Sequence, residues 1–286
     1  MRFVTFRRGG SAPEPGAIRG SEVIRLRGAG FPDLLSIAGG GSAALAKAQA
    51  FVAAAPPDAI TALKDVQLLA PILRPAKLIC IGLNYRDHAA ESQMQLPSVP
   101  TVFAKFATAV TGPGAPIVLP KSATRPDYEA ELAFVIGEGG RYIAASDWRR
   151  HVFGYTILND VSEREYQMAT SQWIMGKSFD TFAPMGPWIV SADEIADPHA
   201  LPISLTLNGE QMQSSNTGNL IFDIPHLIEF LSSVFTLEPG DVVSTGTPAG
   251  VGFARKPPVY LKPGDEVVVR VEGIGELRNP VVAETG

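Results

Sequence analysis

The chain has 286 residues, with 24 Lys and Arg against 29 Asp and Glu for a net charge of −5, 45% hydrophobic residues, four His and one Cys. A single Cys excludes an intrachain disulfide and a thiolate zinc site, and a mildly acidic chain without a Lys/Arg cluster is not composed to bind nucleic acid. No apolar run approaches the roughly 18 residues of a membrane span, and the start MRFVTFRRGG lacks the apolar stretch of a secretory leader, so a cytoplasmic protein with no membrane partner is expected.

Residues 1–70 carry their own pattern. Met1-Arg-Phe-Val-Thr-Phe6 alternates as a short strand does. Phe31–Ile37 and Ala43–Ala55 have helical spacing, and Pro56-Pro57 closes the second helix. Nothing here suggests chemistry, and a small N-terminal α/β domain is expected. Beyond it, apolar runs recur at Leu78–Ile81, Thr101–Phe106, Ile117–Leu119, Ala130–Ile136, Val152–Leu158, Trp188–Val190, Leu205–Leu207, Val242–Ser244 and Glu266–Val271. Gly/Pro turns such as Glu238-Pro-Gly-Asp241 separate them. Helical spacing is confined to Tyr85–Gln93, Ser162–Thr170 and Ile224–Val234. Many short strands with few helices predict an α+β, β-rich catalytic domain over residues 71–286, built as a mixed β-roll or β-sandwich.

Common nucleotide motifs fail. Gly176-Lys177-Ser178 has Ser171 where a phosphate-binding loop needs Gly, and Gly112-Pro-Gly114 lacks the third Gly of a dinucleotide fingerprint. Cys80 lies within Leu78-Ile-Cys-Ile81 and reads as a small buried hydrophobe.

Carboxylates offer more. In Asp127-Tyr-Glu-Ala-Glu131, running into a strand, alternation projects Glu129 and Glu131 to one face. Their repulsion would become attraction around a divalent cation, although a solvated strand end has the same pattern. A second acidic position, Asp160, closes the apolar run Tyr155-Thr-Ile-Leu-Asn-Asp160, ahead of Ser162 and Glu165, which read as a capping box. Two Glu and one Asp are hard oxygen ligands suited to Mg²⁺ or Mn²⁺, with Ca²⁺ a further candidate. Their proximity is not a property of the sequence.

Five motifs in order carry a resemblance: Gly82-Leu-Asn-Tyr-Arg-Asp-His88-Ala-Ala-Glu91, Asp127-Tyr-Glu-Ala-Glu131, Leu158-Asn-Asp160-Val-Ser-Glu-Arg164, Gly176-Lys177-Ser-Phe-Asp180 and Thr245-Gly-Thr-Pro-Ala-Gly-Val-Gly252. Over roughly Leu68 to Val282 the chain resembles the fumarylacetoacetate hydrolase family, especially its acylpyruvase-like branch. The resemblance implies a mixed β-roll core, a homodimer, a divalent metal and a small 2-oxo or 2,4-dioxo acid substrate. It assigns Glu129, Glu131 and Asp160 as metal ligands, and His88 with Glu91 as a catalytic dyad on a short helix that orders over ligand. The i, i+3 spacing of the dyad fits one helix face. Lys177 matches a lysine beside the metal, Gln167 a substrate-contacting glutamine and Thr247 a threonine near the substrate carboxylate. Arg164 reads equally as a partner of the ligands contacting substrate or as a surface arginine. Trp173, Phe179 and Phe182 read as pocket wall or core.

The reading placed first is metal-dependent hydrolysis of a C–C bond in a 2,4-dioxo acid. Water activated by His88 and Glu91 would attack, and an enolate would leave under stabilisation by the metal and Lys177. The same site suits decarboxylation of an oxaloacetate-type acid, or enol–keto tautomerisation and isomerisation. Leu83, where some decarboxylating members carry Arg, weighs mildly against decarboxylation. A non-catalytic ligand-binding relative is the alternative of another class. Residues Ser92–Pro100 and a loop Gln211–Leu220 are expected to shape the distal pocket.

Overall fold

A computed structural model describes residues 1–285. Two sheets face each other across the main core. The larger, of 12 strands among the described residues, has the main order Ile60–Ala62, Glu22–Arg25, Glu14–Arg19, Arg2–Arg7, Ala183–Ser191, Val152–Asn159, Ala130–Ile136, Val242–Ser244, Leu78–Gly82 and Thr101–Lys105. The smaller runs Glu210–Asn216, Pro202–Leu207, Glu266–Val271, Gly275–Ala283 and Ile117–Leu119. This is the β-rich mixed architecture expected.

Alternation explains how the large sheet is buried on both faces. Leu132, Phe134 and Ile136 enter the core shared with Leu205, Val267, Val269, Val271 and Leu277 of the small sheet. Ala133 and Val135 turn the other way, into a second core with Leu78, Cys80, Phe153 and Ile189. Cys80 is therefore the buried hydrophobe its sequence suggested. The helix Ile224–Val234 begins on Asp223, whose side chain accepts the His226 N–H at 3.0 Å, and it buries Leu227, Ile228 and Leu231 in the first core.

The first 70 residues continue the large sheet. Arg2 and Phe3 pair antiparallel with Val190 and Ile189. Short helices at Leu34–Ala38 and Gly41–Ala53 bury Leu34, Ile37, Ala38 and Ala48 in the second core. Ser162 departs from expectation. Instead of capping a helix with Glu165, Ser162–Glu163 forms a short strand on Pro126–Asp127. The helix starts at Arg164, and the Glu163 carboxylate accepts the Glu165 N–H at 3.2 Å. Backbone pairing outcompetes the capping box here, and it delivers Arg164 beside Asp127. The segment Gln211–Leu220 is likewise largely strand, paired with Pro202–Leu207, and not an open loop.

Candidate active site

Adjacent strands bring the three acids together. Ala130 pairs with Asn159, so Glu129 and Asp160 flank one ladder end. There the Asn159 Oδ1 accepts the Glu129 N–H at 3.0 Å, and the Glu129 carbonyl accepts the Asp160 N–H at 2.9 Å. All three carboxylates are buried, and one oxygen from each of Glu129, Glu131 and Asp160 lies within 4.8 Å of the others.

Cations surround two of the three. Lys177 Nζ donates to Glu129 Oε2 at 2.7 Å and to Asp160 Oδ2 at 2.8 Å. Lys105, closing the edge strand, donates to Asp160 Oδ1 and to the Val161 carbonyl. Arg164 Nη2 lies 2.7 Å from Glu129 Oε1 and 2.8 Å from Asp127 Oδ2. Among the described residues, Glu131 has only neutral donors, the Ser244 hydroxyl and the Gly246 N–H at 3.0 Å.

The electrostatics follow. Burial opposes ionisation of Glu129, but Lys177 and Arg164 outweigh it and hold that carboxyl below its ordinary range. Burial, Asp160 and Glu129 together push Glu131 well above it. Lys177 is held above its ordinary value, because Asp160 and Glu129 outweigh its burial. An all-oxygen set with one carboxylate lacking a cation of its own suits a hard divalent ion.

The helix Arg86–Glu91 carries the dyad. His88 Nδ1 is 3.4 Å from Glu91 Oε2, and the Glu91 carboxylate also accepts the Gly250 N–H at 3.0 and 3.1 Å. Asp87 fixes the helix start, accepting from the His88 N–H at 2.8 Å, the Ser215 hydroxyl and Asn219 Nδ2 at 3.3 Å. Thus Gln211–Leu220 pins the helix and does not line the cavity. Asn84 ties the preceding turn to the Thr245 carbonyl at 2.8 Å and to the Phe222 N–H at 2.8 Å.

A cavity of about 220 Å³ joins these parts. Its polar lining is Ser92, His88, Glu129, Glu131, Arg164, Gln167, Lys177 and Thr247; Leu83, Met94, Phe103, Met168, Trp173 and Phe253 form most of the apolar wall. Of the nine residues singled out for the site, Glu91 and Asp160 stand behind this lining, each in contact with a residue that forms it. Arg164 is buried, not a surface arginine. Trp173 meets Phe103 edge to face at 5.4 Å, whereas Phe179 and Phe182 belong to the core. Two glycines permit this closeness. A Cβ on Gly82 would lie 2.3 Å from Trp173 Cζ3, and one on Gly176 would lie 2.3 Å from the Gln167 nitrogen. The remaining histidines serve structure: His151 Nδ1 lies 2.6 Å from the Glu138 carbonyl, His199 Nε2 accepts the Ile224 N–H, and His226 stacks on Phe222.

Sequence reasoning missed Lys105, Asp127 and Gln213. Asp127 is a hub, accepting the Gly252 N–H at 2.7 Å, the Phe253 N–H at 3.0 Å and Arg164 Nε at 2.9 Å. Its place in the Asp127–Glu131 motif was the available signal.

Known proteins resemble this chain over most of its length. A protein named oxaloacetate tautomerase FAHD2A, mitochondrial, from Bos taurus is 50% identical over 220 residues, covering 76% of this chain and 70% of the relative. The protein of the same name from Homo sapiens is 48% identical over the same shares. Among solved structures, a putative HpcE protein from Mycobacterium smegmatis superposes with a TM-score of 0.89 at 34% identity, covering all of both chains. A maleylpyruvate hydrolase from Sphingobium sp. SYK-6, in complex with manganese(II) and pyruvate, does so at 0.82 and 31%, again over all of both chains. The mitochondrial names overturn the cytoplasmic expectation. That expectation rested on a missing apolar leader, which marks secretion; import segments for mitochondria are amphipathic and rich in Arg. The family model described as fumarylacetoacetate (FAA) hydrolase C-terminal matches residues 77–282, and the chain belongs to that family.

Proposed function

We propose that this chain is a divalent-cation-dependent enol–keto tautomerase of a 2-oxo diacid of the oxaloacetate type, in place of the C–C hydrolysis the sequence put first. The relatives from Bos taurus and Homo sapiens, at 50% and 48% identity, are named oxaloacetate tautomerases, whereas the hydrolase from Sphingobium stands at 31%. The observation that carries the reading is one cavity lined by a single imidazole, His88, together with Glu129, Glu131 and Lys177, with Asp160 completing the carboxylate cluster behind them. Proton transfer within a bound oxo acid needs one such base and no attacking water.

Glu129, Glu131 and Asp160 would hold Mg²⁺ or Mn²⁺. When bound, such an ion supplies Lewis-acid polarisation of the 2-oxo oxygen, which acidifies the adjacent C3–H. His88 keeps its Nδ1 proton toward Glu91 and so presents Nε2 as the base. Nε2 takes the proton from C3, the C–H electron pair becomes the C2–C3 double bond, and the carbonyl π pair moves onto O2. Delivery of the same proton to O2 returns the imidazole to its starting form. Lys177, Gln167 and Thr247 orient the acid through charge and hydrogen bonds.

The test follows the ultraviolet band of enol-oxaloacetate with Mg²⁺, corrected for spontaneous decay. Accelerated loss of the band without release of pyruvate or CO₂ is expected. Pyruvate with CO₂ as the first products would replace this reading with decarboxylation, and pyruvate release from acylpyruvates with hydrolysis. Glu131→Gln removes a carboxylate ligand that, among the described residues, has no direct cationic partner. Mn²⁺ affinity is expected to fall at least about 100-fold, the upper end of what changes around metal ligands cost, with turnover falling alongside. Unchanged Mn²⁺ binding by titration calorimetry would remove Glu131 from the ligand set.

A further inference from the structure

We infer that Gln213, which lies outside the cavity, sets the direction of the hydrogen bond at Thr247 and so makes that hydroxyl a donor selecting an anionic substrate group. The inference rests on reading Thr247 as a substrate contact. Gln213 is buried, on the strand Glu210–Asn216 of the small sheet. Its amide orientation is not a free choice. The Ala130 backbone N–H, which can only donate, lies 2.9 Å from Gln213 Oε1, so that oxygen is the acceptor and the other end is the NH₂. Nε2 lies 2.8 Å from Thr247 Oγ1 and 2.9 Å from the Pro248 carbonyl. Both amide hydrogens are thereby committed, since the carbonyl can only accept. The Thr247 oxygen must accept from Gln213, and its own hydrogen has no acceptor among the described residues. Thr247 lines the cavity, so that hydrogen is available to a ligand there.

Gln167, which also lines the cavity, obeys the same rule. Arg164 Nη1 donates to Gln167 Oε1 at 2.8 Å, and a guanidinium has no accepting atom, so the Gln167 NH₂ group is left for the cavity. Two side chains that could accept or donate are both polarised as donors by buried neighbours. Together with Lys177 they form a donor set matched to a carboxylate, which brings only acceptors. A substrate group that can only donate would leave the Thr247 hydrogen without an acceptor.

Gln213→Glu isolates the direction of the bond. The substituted side chain keeps its size and one oxygen for the Ala130 N–H, but its second oxygen accepts from Thr247 and draws that hydrogen out of the cavity. With oxalate as the probe and saturating Mg²⁺, titration calorimetry at pH 8 is expected to show about tenfold weaker binding, the loss of one hydrogen bond to a charged group. Thr247→Val should weaken oxalate similarly, and the double variant no further. Lower pH, which protonates the new carboxyl and restores a donor, should recover part of the loss. Gln213→Met, without an added charge, should weaken oxalate several-fold with the same absence of additivity. Mn²⁺ affinity, followed by electron paramagnetic resonance, should stay within about twofold of wild type. If Thr247→Val weakens oxalate and neither Gln213 variant does, the polarity inference falls and the substrate contact stands. If Thr247→Val binds oxalate as wild type does, the contact itself falls, and the inference with it. An equal loss of Mn²⁺ affinity would assign the effect to the strand at Ala130 and overturn the inference.

Discussion

His88→Ala is expected to lower Mg²⁺-dependent turnover by about 10²–10⁴-fold, the range that one positioned acid–base group supplies. Metal binding should be near normal, because His88 makes no contact with the three carboxylates among the hydrogen bonds and ion pairs described. The size of the effect follows from the absence of a substitute. His151, His199 and His226 are committed to packing and to backbone contacts elsewhere in the fold. Turnover of the variant within about threefold of wild type would remove His88 from the chemistry. Glu91→Gln should cost less, since the side chain still reaches His88 and Gly250, and its effect should depend on pH. Burial works against the charge on Glu91, but hydrogen bonds from His88 and the Gly250 N–H outweigh it and leave the carboxyl below its ordinary range. A carboxyl with a lowered folded value stabilises the native arrangement above its unfolded value, and that contribution is lost as pH falls through the folded value. The grip of Glu91 on His88 is therefore complete at neutral pH and fails only in acid, below the usual carboxylate range. A pH–rate profile of the wild type should carry that acid limb, and the Gln variant should lack it.

Lys105→Met should destabilise the fold by about 3–5 kcal/mol, the cost of removing one partner from a buried ion pair. Neither side chain of the Lys105–Asp160 pair is exposed to solvent. Without the ammonium, Asp160 keeps only Lys177, which it shares with Glu129. The melting temperature should fall on the order of 10 °C, given the roughly 2–4 °C that each kcal/mol shifts a domain of comparable size. Saturating Mg²⁺ should raise the melting temperature of the variant more than that of wild type, because the ion then meets a less neutralised carboxylate. Calorimetry with and without Mg²⁺ measures both quantities. A drop of less than about 2 °C would show that the Lys105–Asp160 pair contributes little to the stability of the fold.

Much of this was legible in the chain, for reasons that differ by residue. Apolar runs such as Ala130–Ile136 and Val242–Ser244 matched their strands because both faces are buried and the only polar residues, Glu131 and Ser244, sit near a strand end. Glu129 and Glu131 were visible by alternation, and His88 with Glu91 through the family motif, with which their helical spacing agrees. Lys105 was not, since a lysine closing an apolar strand looks like any solvated strand end. Its burial depends on Asp160, 55 residues later, which only the sheet brings near. Gln213 was hidden in the polar run Glu210-Gln-Met-Gln-Ser-Ser-Asn216, whose pairing with Pro202–Leu207 contains a register shift. Arg164 stayed ambiguous because its burial comes from a two-residue bridge, Ser162–Glu163 on Pro126–Asp127, too short to leave a periodic signal.

The pairing of Arg2 and Phe3 with Val190 and Ile189 has a bearing on where the chain can be divided. The family match begins at residue 77, so the strands before it look dispensable on the linear map. In the folded protein they cover one side of Ala183–Ser191, a strand buried along nearly its whole length. Cutting them away would bare a row of backbone donors and acceptors beside Ile189 and Val190, the kind of open margin that recruits strands from other molecules. The amino-terminal strands thus act as a selvedge for the central sheet, moving its margin from Ile189 and Val190 out to the short strand Ile60–Ala62.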